Sequence, residues 1–338
     1  MINKDKSKVI ILNNPKNLSI EDEILPNIKN SEILCETICT AISPGSELAH
    51  YQGLPPLIPN VKVYPRKLGY CNVSKIIKVG NSVKSVIPGD KVLTFAPHRS
   101  SFIINESLIK YLLPKSANPE LISTSYLYHL GYNAVLRGGI KLGSRVLIIG
   151  LGTLGLTSLT MSKIAGGVIS VISDQSKKKD LALDLGAIDF FSREEIMNKI
   201  IENRNLFDVV VLTTNNWQDL IIAQKLTASL GKIAVLGFLG RGQPQVSYNP
   251  LPSELFQSKQ LTIEAVGYSP EYYDSRGFAR FNEIDNLKYI ANQINIKKIN
   301  PDKIISGRYH FSEIEKAYKS MISKDNASIT YILKWQDY

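Results

Sequence analysis

Residues 145–155 read RVLIIGLGTLG. Val146 to Ile149 is an apolar run without alternation, the pattern of a strand buried on both faces of a parallel sheet. It leads straight into Gly150, Gly152 and Gly155, and then into Leu154–Ala165, which has helical length. In such a turn the first glycine permits a tight reversal, the second lets the backbone approach a pyrophosphate, and the third lets helix and strand pack closely. Thr153, Leu154 and Gly155 open the helix, whose first N–H groups and positive dipole end suit an anion. A lone GxGxxG is weak. The strand before it, the helix after it and a second strand, Val168–Ile172, at the right distance make this one strong.

Downstream the alternation continues. Lys177–Leu185 reads as a helix stopped by Gly186, and Val209–Leu212 and Ile233–Leu236 as further strands. Strands and helices in turn describe a parallel sheet covered by helices. The second strand ends at Ser173-Asp174, nineteen residues past Gly155. A carboxylate at Asp174 would accept from a ribose 2′-hydroxyl and repel a 2′-phosphate, which favours NAD over NADP. Lys177, Lys178 and Lys179 then open the next helix, where cations oppose the dipole. They read either as a hold on a 2′-phosphate or as an exposed face of a lysine-rich chain.

Upstream the texture differs. Ile33–Ile42, Val73–Val79, Lys91–Phe95 and Ser101–Ile104 are β-rich, broken by Ser43-Pro44-Gly45, Gly80-Asn81 and Pro88-Gly89-Asp90. That punctuation predicts a compact β-barrel-like domain. Leu54–Pro65 holds four prolines and reads as a surface loop. Leu121–Leu136 has helical length, stopped by Gly138 and Gly139. In the tail, Leu287, Ile290, Ala291 and Ile294 share one helical face, as do Ile314, Ala317, Tyr318 and Met321, with Ser312 as the cap of the second helix. Ser328–Leu333 is a closing strand. The expected domains are residues 1–122 with 274–338, and 123–273.

Composition narrows the class. The 338 residues are 44% hydrophobic and 21% charged, enough apolar material for a packed core. No apolar run approaches the roughly 20 residues of a membrane span. Val9–Leu12 is too short for a signal peptide and is ended by Asn13, Asn14 and Pro15, so the expected location is the cytoplasm. The formal charge of +10 is scattered, without aromatic–basic alternation or zinc-finger spacing, and a solvated surface is the reading rather than a nucleic-acid groove. Cys35, Cys39 and Cys71 show no C-x-x-C spacing and read as reduced, packed thiols.

The chain resembles the medium-chain dehydrogenase/reductase superfamily over nearly its whole length. The resemblance rests on Ser43-Pro44-Gly45-Ser46-Glu47 with Gly53, Leu68-Gly69-Tyr70 before Val73–Val79 and Gly80, and Pro88-Gly89-Asp90-Lys91-Val92. It rests further on the fingerprint at Gly150, on Leu185-Gly186-Ala187, and on Tyr309-His310-Phe311 before the helix containing Ala317. It implies a GroES-like β-barrel catalytic domain plus a Rossmann domain with a doubly wound parallel sheet, an α/β protein. Zinc-dependent members place Cys, His and Cys around a catalytic metal. The matching positions here are Pro44, Tyr70 and Tyr126, and proline and tyrosine do not replace imidazole and thiolates. A structural zinc lobe of four cysteines is missing, since no Cys follows Cys71. No zinc is expected, and the Ser-Pro-Gly-Ser-Glu motif is similar to the bacteriochlorophyllide-dehydrogenase-like subgroup.

The resemblance also implies candidate roles. Without a Lewis acid, a group must protonate the developing alkoxide. Ser46 matches the hydroxyl that begins a proton relay in alcohol-oxidising relatives, Tyr70 occupies a vacated ligand position, and His98 follows the strand bordering the cleft. These are the catalytic candidates, with His50 and Tyr126 as substrate-cleft residues. Ser46 reads equally as a turn serine, and the two tyrosines as packing. Glu47 matches a position that orients the active-site loop. Thr213, Gly237 and Phe238 follow parallel strands at their carboxyl ends, where the nicotinamide would lie. The cofactor set is therefore Gly150, Gly152, Thr153, Leu154, Gly155, Ser173, Asp174, Lys178, Thr213, Gly237 and Phe238.

The leading expectation is metal-free interconversion of an alcohol and a carbonyl on a small molecule. The alternatives are NADPH-dependent reduction of a polarised C=C bond and a catalytically silent dinucleotide-binding protein. Leu261–Val266 is an apolar strand that, left unpaired, would be a liability; the resemblance implies that it pairs with a partner subunit, so at least a homodimer is expected.

Overall fold

A computed structural model of the chain describes residues 6–56, 60–202, 206–267, 269, 276, 278–323 and 327–336. The chain forms two compact units, residues 1–126 with 271–338, and residues 127–270. The expected return at residue 274 and part of the proline-rich loop lie outside the described residues.

The first unit opens with β1 (Lys6–Asn14) and β2 (Asn17–Ile24), an antiparallel hairpin turning through Lys16 at φ 58. Ending the apolar stretch at Asn13 missed this hairpin, because β2 has no buried residue and so no apolar signal. β3 (Glu32–Ala41) buries every second side chain up to Cys39, then Thr40 and Ala41 as well, and leads into α1 (Pro44–Tyr51). β4 (Arg66–Lys67) joins the hairpin, and β5 (Asn72–Val79), β6 (Lys91–Thr94), β7 (Ser101–Asn105) and β8 (Tyr111–Leu112) build outward from β3. Inside, Ile33, Cys35, Ile76, Val92 and Phe102 pack together.

The single helix read over residues 121–136 is two, α2 (Pro119–Ser123) and α3 (Ser125–Gly138). At the break, the hydroxyls of Ser123, Thr124 and Ser125 each donate to the carbonyl three residues back, at 2.7 Å. Three consecutive side chains competing for the backbone in this way interrupt a helix.

The second unit alternates as its sequence predicts: β9 (Arg145–Ile149), α4 (Thr153–Ile164), β10 (Val168–Ile172), α5 (Lys179–Asp184), β11 (Asp189–Phe191), α6 (Arg193–Glu202), β12 (Phe207–Leu212), α7 (Trp217–Leu226), β13 (Thr227–Val235) and β14 (Thr262–Ala265). All six strands are parallel, in the order β11-β10-β9-β12-β13-β14. This is the doubly wound order, with the strand reversal beside β9. Val146 to Ile149 and Val210 to Leu212 are fully buried, as unalternating runs require. The lysine-rich helix is shorter than read: Ser176–Lys178 is a 3-10 turn, and Lys177 stays outside the α-helix.

The chain then returns to the first unit with α8 (Glu283–Asn295), β15 (Ile305–His310), α9 (Ile314–Ile322) and β16 (Thr330–Lys334). β16 inserts between β15 and β3, completing the order β15-β16-β3-β5-β6-β8 with β7 also on β3. Ser312 does not cap α9. It sits inside a 3-10 turn, and its N–H donates to His310 Nδ1. Among the described residues no helix is long and apolar enough to cross a membrane. The three cysteines are buried free thiols.

Candidate active site

In the second unit the fingerprint turn has distinct demands at each glycine. Gly150 holds φ 94, a left-handed conformation that suits glycine. A Cβ on Gly155 would lie 1.9 Å from the Gly150 carbonyl oxygen, so only glycine lets α4 meet β9 here. Gly152 differs, with an ordinary φ of −75 and no atom within 4 Å of where its Cβ would be. Nothing in the protein itself requires glycine there. The open space lies at the N-terminus of α4, the end at which a helix directs its first N–H groups and its positive dipole outward. A pyrophosphate fits such a cradle.

Lys178 lies beneath this turn. It is 5% exposed, and its ammonium donates to the Leu151 carbonyl at 3.0 Å. Burial lowers its pKa to about 8, so the charge is present at neutral pH and is lost above that value. Ser173 is buried and its hydroxyl accepts from the Gln175 N–H at 3.1 Å, shaping the turn after β10. Asp174 is exposed, but its carboxylate is engaged. Oδ1 accepts from the Arg193 N–H at 3.1 Å and Oδ2 accepts from Arg193 Nη1. Arg193 in turn forks onto buried Asp219, with Nε and Nη2 each at 2.8 Å, and the Thr214 hydroxyl donates to Asp219 at 2.6 Å. Neither Arg193 nor Asp219 is evident from the sequence, because each follows a different strand and only the sheet brings them together. The Thr213 hydroxyl turns inward to the Ile149 carbonyl at 2.8 Å. Gly237 passes close to Thr214, where a Cβ would come within 2.1 Å of its carbonyl, and exposed Phe238 is tied to Asn215 through its N–H at 2.9 Å.

In the first unit, the N-terminal end of α1 is organised around Glu47. This carboxylate is 2% exposed and accepts three donors: the Ser43 N–H at 2.7 Å, His98 Nε2 at 2.8 Å and the Tyr318 hydroxyl at 2.5 Å. His98 Nδ1 meets the Thr40 hydroxyl at 2.8 Å, and that hydroxyl accepts from Trp335 Nε1 at 3.1 Å. A neutral imidazole with its proton on Nε2 satisfies every partner. His98 is fully buried with both nitrogens occupied, which corrects its reading as a catalytic candidate. Burial, and after it the Glu47 charge, hold the Tyr318 phenol well above its usual range.

The anchored loop presents hydroxyls. Tyr70 donates to Ser43 Oγ at 2.5 Å, and the Ser46 side chain lies near the phenol. Burial pushes that phenol well above its ordinary pKa, so it stays protonated at physiological pH. Ser43 is the functional candidate missed in the sequence, where a serine before proline reads only as a turn. Tyr126 packs edge-to-face on Tyr70 at 5.2 Å and Phe95 on Tyr126 at 5.0 Å, an aromatic wall beside the hydroxyls. His50 Nδ1 meets the Ser46 carbonyl at 2.7 Å, which makes that nitrogen the protonated one.

These residues do not fit a catalytic zinc. Of the three residues that the resemblance matches to zinc ligands, Pro44 opens α1 and has no side-chain donor atom, and Tyr70 and Tyr126 pack edge to face on each other. Among the described residues no three His, Cys, Asp or Glu side chains gather in a way that could hold a metal.

No protein-family model matches the chain. It is 23% identical over 331 residues to a sorbitol dehydrogenase of Bacillus subtilis, covering 86% of this chain and 91% of that protein. Human sorbitol dehydrogenase is 25% identical over 233 residues, which span 58% of this chain and 65% of the human protein. L-idonate 5-dehydrogenase from Escherichia coli superposes with a TM-score of 0.82 at 15% identity, over 97% of this chain and 98% of that one. An Escherichia coli alcohol dehydrogenase complexed with NADH gives 0.80 at 16% identity, over 98% and 99%. The chain thus has the GroES-like and Rossmann fold of the medium-chain dehydrogenases and is similar in sequence to their alcohol-dehydrogenase-like oxidoreductases.

Proposed function

We propose that this protein is a zinc-independent, nicotinamide-dependent oxidoreductase that interconverts an alcohol and a carbonyl on a small molecule. The observation that carries the reading is Gly152: a glycine that the fold does not need, at the one place where a pyrophosphate would need it. The bound dinucleotide supplies or accepts the hydride. The protein supplies the rest. The α4 N-terminus and Lys178 favour the phosphates, and the Ser43, Ser46 and Tyr70 hydroxyls handle the proton. In reduction, Tyr70 gives its proton to the substrate oxygen. Ser43 and Ser46 then turn their own O–H bonds toward the phenolate until solvent restores the proton.

Gly152→Ala tests the cofactor reading directly. Its Cβ meets open space, so the melting temperature should hold within about 2 °C, less than 1 kcal/mol for a domain of this size. NADH binding followed by fluorescence should weaken by about tenfold or more, roughly 1.4 kcal/mol. Unchanged NADH affinity in this variant would remove the proposal.

We also propose a homodimer. β14 is an edge strand that pairs only with β13 among the described residues, and such an edge invites a second copy. Light scattering at micromolar concentration should give twice the chain mass, and a monomer mass would contradict it.

A further inference from the structure

Asp174 stands where a carboxylate normally selects against a 2′-phosphate. Here that carboxylate is not bare. Arg193 covers both of its oxygens, one with its backbone N–H and one with its guanidinium. The guanidinium is held in place by Asp219, which is fully buried, bonded through two N–H groups at 2.8 Å and fixed in turn by Thr214. The Asp219 bond, and to a lesser extent the nearby Asp174, hold Arg193 firmly protonated. Of the five N–H donors on a guanidinium, these bonds use three. Two remain on a side chain still 31% exposed, in the planar fork that matches phosphate oxygens.

We infer that Arg193 is a selectivity-determining residue that covers the Asp174 carboxylate, offsets part of its charge and offers its two remaining N–H donors, letting the adenosine end of the site accept a 2′-phosphate. The inference rests on the dinucleotide reading above and revises the preference for NAD that Asp174 alone suggests. A 2′-phosphate approaching a bare carboxylate would be repelled. Approaching the Asp174–Arg193 pair, it meets two uncommitted donors and a carboxylate whose oxygens are already covered. An ion pair that merely staples the turn after β10 to the start of α6 would have no effect on the choice between the two dinucleotides.

The test titrates NADH, NADPH, ADP and 2′,5′-ADP by calorimetry against the full chain and two variants. Removing Arg193 alone would strand a buried carboxylate, so Arg193→Gln is combined with Asp219→Asn. Asp174→Asn changes an exposed side chain and keeps the fold safe. The parent should bind NADPH within about tenfold of NADH, or ~1.4 kcal/mol. The double variant should shift the ratio toward NADH by at least about tenfold, and Asp174→Asn should shift it toward NADPH by about threefold or more. A parent that discriminates against NADPH by more than about a hundredfold overturns the inference. So does a double variant whose ratio stays within about threefold of the parent; if that variant does not fold, Arg193→Lys, which keeps a cation beside Asp219 and loses the fork, decides by the same threefold criterion. Failure of the parent to bind any of the four ligands would instead defeat the dinucleotide reading itself, a distinguishable result.

Discussion

Glu47→Leu should lower the melting temperature of the unit that carries it by on the order of 10 °C. The carboxylate is buried and takes three donors, from Ser43, His98 and Tyr318. Leucine fills much of the volume and accepts none of them. Each stranded donor costs about 1–3 kcal/mol, and breaking a buried charged network costs about 3–5 kcal/mol in total. For a domain of this size each kcal/mol is roughly 2–4 °C. Glutamine should rescue little, because its single oxygen can serve one side of the network while its NH2 faces a donor on the other. Calorimetry or near-UV circular dichroism reads the result. A Glu47→Leu protein that melts within about 2 °C of the parent would show that the network is not what holds α1 against the sheet.

Tyr70→Phe should lower kcat by about a hundredfold or more once a substrate is in hand, on the 10²–10⁴ scale of general acid–base groups. A phenol held above its usual pKa is a weak acid. It donates usefully only when the transfer is concerted with arrival of the hydride and the geometry is already set, which the Ser43 and Ser46 hydroxyls provide. Ser46→Ala should cost less, because Ser43 still holds the phenol. NADH affinity should be unchanged in both variants, and a chelator should leave the parent rate untouched. Near-normal kcat in Tyr70→Phe would move the proton donor elsewhere, and loss of rate on chelation would return a metal to the mechanism.

The parallel sheet was legible in the sequence because its strands are buried on both faces. Val146 to Ile149 and Val209 to Leu212 read as unbroken apolar runs and Val168 to Ile172 as one interrupted only by Ser170, and the structure places strands on all three. The hairpin strand β2 was not legible, since an exposed strand rich in Glu and Asp carries no such run. The candidate site divides in the same way. Gly150, Gly152 and Gly155 are local and could be read by spacing. The Asp174–Arg193–Asp219 chain could not, because its members are 19 and 26 residues apart and meet only through strand order. His98 shows the limit most clearly. A histidine after a strand looks available, and only three-dimensional packing reveals that Thr40 and Glu47 occupy both of its nitrogens.

The placement of β16 between β15 and β3 bears on the order of assembly during synthesis. Ile332, Leu333 and Lys334 pair with Ala41, Thr40 and Cys39, closing a loop of nearly the whole chain. The 127–270 unit is contiguous and can collapse as soon as it leaves the ribosome. The barrel cannot. The β5 and β7 partners of its longest interior strand, β3, are made early. The Cys39–Ala41 end lacks its β16 neighbour until residues 330–334 have been made, so that end of β3 waits through translation of nearly three hundred residues with an open edge. The fold is finished from its last strand inward, and for that interval the nascent chain carries its aggregation risk at its amino-terminal end.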